Sequence, residues 1–136
     1  MKQGVSMTTK RAQKEFKPRD WPTITPRIVV SDARGLVNFV KSVFDATGNL
    51  QSDAPAIMQF GDSKIMISGT GSRDATNAFL YVYVEDANET YRRALKAGAS
   101  SLEEPTDLPY GDRRAMVRDP WGNTWQIATR LPGEVR

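Results

Sequence analysis

Residues 118–130 read RDPWGNTWQIATR, and residues 60–67, FGDSKIMI, echo the PWGNTWQI at 120–127: a glycine-centred turn leading into a strand. A second pair of echoes lies upstream, VVSDA at 29–33 and YVEDA at 83–87, each placing an aspartate where a helix N-cap belongs. Two echoes in the same order point to a duplicated unit.

Working outward, TITPRIVV at 23–30 is rich in β-branched residues and predicts a strand, with Pro26 at its start or on a sheet edge. After Asp32, the recurrence of Leu36, Phe39, Val40, Val43 and Phe44 predicts a helix with one apolar face, stopped by Gly48. AIMQFGDSKIMIS at 56–68 predicts two strands around a turn at Gly61, Asp62 and Ser63. A polar joint, SGTGSRDATN at 68–77, precedes the second half. There AFLYVYV predicts a strand, and Asp86 with Glu89 a capping box. The helix it opens turns Tyr91, Ala94 and Leu95 inward and ends at Gly98. An extended SSLEEPTD, the strand RRAMVRD, the turn PWGN and the strand TWQIATR follow.

The predicted fold is α+β: two βαβββ modules in tandem, forming a curved mixed sheet with an open cup and the helices on its outer face. Module one covers 23–70 and module two 77–131 of a single domain at 23–131. Residues 1–22 form a basic, flexible extension and 132–136 a short tail. A concave face is where small ligands bind.

Composition narrows the chemistry. The chain has 136 residues with no cysteine and no histidine, which excludes disulfides, a thiolate nucleophile and the commonest metal ligand. The net charge of +3 is concentrated before Trp21, in Lys2, Lys10, Arg11, Lys14, Lys17 and Arg19. No aromatic and basic platform accompanies it, so nucleic acid is not an expected partner. No apolar run is long enough to span a bilayer and no secretory signal is evident, so no membrane partner is expected and a cytoplasmic location is.

The doubled unit and above all YGDRRAMVRDPWGNTWQIATR at 110–130 resemble the vicinal oxygen chelate superfamily of glyoxalase I, bleomycin-resistance proteins and extradiol dioxygenases. The resemblance runs from about Ile24 to Arg130, and the stretches at 80–99 and 105–123 are most similar to its PhnB-type, glyoxalase-like branch. It implies a homodimer. It also implies that in metal-dependent members four strands converge on one divalent ion, at positions that fall here on Thr25, Met66, Phe79 and Gln126. None is a histidine or a carboxylate, so no metal and no other cofactor is expected.

In this reading Gln126 offers an amide that both donates and accepts, against the bland reading of a glutamine satisfying its neighbours. Phe79, Tyr81 and Tyr83 alternate along one strand and form an aromatic wall, with Met58, Phe60 and Met66 opposite. Trp121 covers a cup edge, while Trp125 faces the core. Tyr110 and Arg114 lie in or beside the rim loop LPYGDRR, where an arginine could grip an anionic group or pair with Asp112 to fix the loop. No catalytic residue is assigned. The sequence reading is a metal-free protein holding a small apolar or aromatic ligand, as in drug sequestration. The alternative is a glyoxalase-like lyase or isomerase working without the usual metal ligands, and a pure interaction domain would show a cup filled by side chains.

Overall fold

The computed structural model describes residues 15–133; the readings of 1–14 and 134–136 lie outside the described residues. The first half runs β1 (Arg27–Val30), α1 (Ala33–Phe44), β2 (Ala56–Phe60) and β3 (Ser63–Gly69). The second runs β4 (Phe79–Tyr83), α2 (Ala87–Lys96), β5 (Ser100–Asp107), β6 (Asp112–Arg118) and β7 (Thr124–Arg130). This α+β order is consistent with two tandem βαβββ modules. In the first, the strand after the helix is reduced to an isolated bridge between Thr47 and Gln59. Each half places its first strand parallel to its last, β1 on β3 and β4 on β7, and a parallel pair needs the long crossover that the helix supplies.

The helix ends show local chemistry at work. Asp32 Oδ1 accepts from Gly35 N at 2.9 Å, as an N-cap should. Asp86 Oδ1 accepts from Glu89 N at 3.1 Å, but the Glu89 carboxylate turns to Arg92 and Arg93, so the capping box is only half made. Gly48 does not stop α1. The chain leaves the helix at Asp45, in the left-handed region with φ 56°, a conformation aspartate tolerates better than most side chains. Gly48 serves close packing instead, since a Cβ there would lie 2.2 Å from the Ile57 carbonyl oxygen and 2.8 Å from Met58 Sδ. Only a glycine lets this loop press against β2.

Strands assemble as two separate sheets, ordered β1-β3-β2 and β4-β7-β6-β5, rather than merging into one curved sheet. Each sheet has one strongly apolar side, and that side must be covered. Sheet one turns Ile28, Met58, Ile65 and Ile67 toward the helices, and sheet two turns Val117, Trp125 and Ile127 the same way; all belong to a single core with Leu36, Phe39, Val40 and Val43 of α1. Phe44 at the end of α1 and Phe60 on β2 meet Trp125 on β7, with ring centroids 5.0 and 6.1 Å from it. Both sheets therefore back onto one shared core, and their other faces point away from it. Among the described residues no helix is long and apolar enough to cross a membrane.

Candidate functional site

The turn between β6 and β7 is a structural knot. Asp119, buried, accepts through Oδ1 from Trp121 N and Asn123 N at 2.9 and 3.0 Å, and through Oδ2 from Asn123 Nδ2 and Trp125 Nε1 at 3.0 and 2.9 Å. Asn123 Oδ1 in turn accepts from Ala78 N at 2.9 Å, tying the turn to the start of β4. Trp121 lies edge-on to Phe39 of α1, with ring centroids 6.1 Å apart. Its ring packs on the helix, so the structure gives it a packing role at α1.

Strand register then sorts the other candidates. Met66 is paired with Ile57 and Arg27, on the outward face of sheet one. Met58 is shifted by one residue from that face and is 0% exposed within the core, so the two methionines do not share a wall. Phe60 stands on the core side with Met58, half-buried against Phe44 and Trp125. Thr25 precedes β1 and is half-buried. On sheet two, Tyr81 is paired with Gln126 and Gln126 with Met116, while Phe79 is paired with Thr124. Phe79, Tyr81, Tyr83, Gln126 and Arg114 thus share the outward face of sheet two. Of the four corner positions, Met66 lies on the outward face of sheet one and Phe79 and Gln126 on that of sheet two, while Thr25 lies in the segment before β1.

On the sheet-two face lies a hydrogen-bonded cluster whose members the sequence singled out but whose bonds to Asp112 it did not foresee. Asp112, 1% exposed, accepts through Oδ2 from the hydroxyls of Tyr81 at 2.5 Å and Tyr83 at 2.7 Å. Tyr110 Oη lies 3.0 Å from Tyr81 Oη, and Arg114 Nη1 donates to Tyr110 Oη at 3.2 Å. Arg114 Nη2 donates to Glu103 at 2.9 Å, and its Nε is buried without a hydrogen-bond partner. Burial, then the bonds to Asp112 and Tyr110, push the Tyr81 phenol well above the ordinary tyrosine range, so it keeps its proton. Arg113 points to the other face, where it donates to Asn88 at 2.9 Å and to Asp107 at 2.8 Å. The rim arginines Arg113 and Arg114 thus pair with Asp107 and Glu103. Strand alternation already set Tyr83 beside Tyr81; the Glu103 pair depends on register shifts between β5 and β6 that no spacing reveals.

Along the open edge of β4 runs a cleft of about 440 Å³, within the range of small-molecule sites. Ile24, Phe44, Phe60, Leu80 and Val82 give it an apolar lining, and it reaches Tyr81 and Tyr83. The amide of Gln126, half-buried on the adjoining face, makes no hydrogen bond to another described residue.

The chain is 27% identical over 124 residues to an uncharacterized protein of Mycobacterium tuberculosis strain H37Rv, covering 78% of this chain and 73% of that one. Its fold is similar to that of TioX from Micromonospora sp. ML1, with TM-score 0.68, 24% identity and coverage of 81% of this chain and 99% of that one. It is also similar to a glyoxalase/bleomycin resistance protein/dioxygenase family enzyme from Burkholderia phytofirmans PsJN, with TM-score 0.68, 19% identity and coverage of 77% and 95%. At these identities the structural likeness speaks for the fold alone. Residues 22–127, most of the chain, match the Glyoxalase/Bleomycin resistance protein/Dioxygenase superfamily, and the protein belongs to it.

Proposed function

We propose that this protein binds a small, partly aromatic or apolar molecule by contact and hydrogen bonding, with no metal at the site, and that sequestration of a drug-like compound is the use this serves. The observation that carries the reading is the apolar cleft beside β4, bordered by the organised tyrosine face. The donors at the corner positions do not fit a divalent ion. A hydroxyl, a thioether, a phenyl ring and an amide offer no anionic or imidazole ligand, and among the described residues no three Asp or Glu side chains gather closely enough to hold one. Tyr81, holding its proton, suits donation to Asp112 better than proton abstraction. Within the superfamily, the stretches at 80–99 and 105–123 favour the PhnB-type branch.

Two measurements test this. Elemental analysis of protein purified without chelator should find no stoichiometric divalent ion; about one per chain overturns the metal-free part. Planar aromatics and anthracycline-like drugs should quench tryptophan fluorescence, because Trp125 stacks on Phe60, which lines the cleft. Ile24→Asp, at an exposed position in the cleft wall, should weaken that binding about tenfold with little change in melting temperature, and silence across a broad panel overturns the binding reading.

The site is proposed to be completed in a homodimer. Ile24, Phe79 and Tyr83, among the large apolar side chains left exposed, flank β1 and β4, and among the described residues β4 has a strand neighbour on one side only. Such an edge invites a second chain. Sedimentation should therefore give twice the 15.2 kDa chain mass, and Phe79→Glu, at a side chain 68% exposed, should shift the protein to monomer without unfolding it. A wild-type monomer at high micromolar concentration would rule the dimer out.

A further inference from the structure

The cleft beside β4 is apolar along most of its wall, and two charged side chains line it, Asp62 in the turn between β2 and β3 and Lys64 at the start of β3. They differ in setting. Asp62 is exposed in the turn and accepts from Ser63 Oγ at 2.9 Å. Lys64 is half-buried and fixed from two sides: its ammonium donates to Oε1 of Gln59, its partner across the hairpin, and lies 5.5 Å from the centroid of the Trp21 ring. Gln59 Nε2 donates to the Gly61 carbonyl oxygen at 2.7 Å, which leaves the amide oxygen for the lysine. Both neighbours of the ammonium are thus neutral, and no carboxylate among the described residues is ion-paired with it. An ammonium has three protons, and Gln59 takes one. Lys17 donates to the Trp21 carbonyl oxygen at 2.7 Å, which brings a second cation to the same tryptophan. Beside apolar walls a charge is screened less than in open water, so it draws an opposite charge more strongly.

We infer that the ligand of the cleft is an amphipathic acid, with a carboxylate on the Lys64 ammonium and an apolar or aryl body against Ile24, Phe60 and Leu80. This rests on the binding reading above and narrows it: of the apolar molecules the cleft could take, those ending in an anion bind best. The aryl body meets the same side chains whatever its end group, so the charge at that end alone sets the preference.

The experiment is an NMR chemical-shift titration of the full chain with three probes sharing one ring and differing at one end: 3-phenylpropionate, 3-phenylpropionamide and 3-phenylpropylamine. It is run in about 0.15 M sodium chloride, where the screening length of about 8 Å damps the pull of distant charges. The propionate should bind about tenfold more tightly than the propionamide, which has nearly the same shape, and the amine more weakly than either, the size expected of one charge-assisted hydrogen bond. Lys64→Met keeps the length of the side chain and removes its charge, so it should bring the propionate to the level of the propionamide and leave the propionamide unchanged. Lys64→Arg should keep most of the preference. Lys96→Met, which removes the same charge from the exposed end of α2, should leave it intact. If the propionate binds no more tightly than the propionamide, or if its advantage survives Lys64→Met, the anion assignment is wrong while the binding reading stands. If none of the three probes shifts a resonance at millimolar concentration, both fall together.

Discussion

Replacing Asp119 with alanine is expected to lower stability by about 4 kcal/mol, the largest loss from any single side chain considered. The carboxylate receives two backbone amides, the Asn123 amide and the Trp125 indole, all in a buried turn. Each buried donor left without an acceptor costs about 1–3 kcal/mol, and water entering the vacated space recovers only part of the total. At about 4 °C per kcal/mol for a chain of this size, the melting temperature should fall by about 15 °C. Asp119→Asn keeps one carbonyl oxygen but turns an amide toward groups that are already donors, so its loss should be about half as large. Thermal unfolding of the two variants checks this, and a fall below about 4 °C for Asp119→Ala contradicts the account.

Gly35→Ala should cost about 2 kcal/mol, although alanine is the better helix former by about 1 kcal/mol. The reason is space. A Cβ at position 35 would lie 2.3 Å from Asp32 Oδ2 and 2.5 Å from Trp121 Cζ2. Asp32 could swing away only by weakening the cap of α1, a loss of about 1 kcal/mol, and the Trp121 ring is held against Phe39. Overpacking of this kind costs about 1–3 kcal/mol, which outweighs the gain in propensity. Urea unfolding should show a lower midpoint with an unchanged slope, and Trp121→Leu should remove much of the penalty in a double-mutant cycle. A stabilised Gly35→Ala would mean that Trp121 does not sit on the helix.

Periodicity and turn chemistry made the element order legible. Asp32, Asp86, the paired echoes and the alternation in AFLYVYV all act within a few residues, and the structure places helices and strands where they indicated. Sequence spacing was weaker wherever parity across a turn decided the face. Met58 and Met66 looked equivalent, yet the pairing of Ile57 with Met66 puts them on opposite sides, because a shift of one residue exchanges the faces of a strand. Asp112 looked as though its neighbours Arg113 and Arg114 held it, but among the described residues it accepts hydrogen bonds from Tyr81 and Tyr83, about thirty residues earlier. Strand alternation set Gln126 and Trp125 on opposite faces, and the register pairs Gln126 with Tyr81 while Trp125 lies in the core. That the two sheets share a core was not legible, since it depends on how Trp125 meets Phe44 and Phe60 from the other half of the chain.

The partnership of β4 with β7 also has a cost during synthesis. Among the described residues β4 has β7 as its one neighbour in the sheet, and each paired residue comes 45 positions later in the chain, as does the Asn123 side chain that holds Ala78. A ribosome therefore delivers the aromatic run Phe79–Tyr83 well before anything exists for it to pair with, and a nascent chain stalled short of Thr124 would carry that run as an open, sticky ribbon.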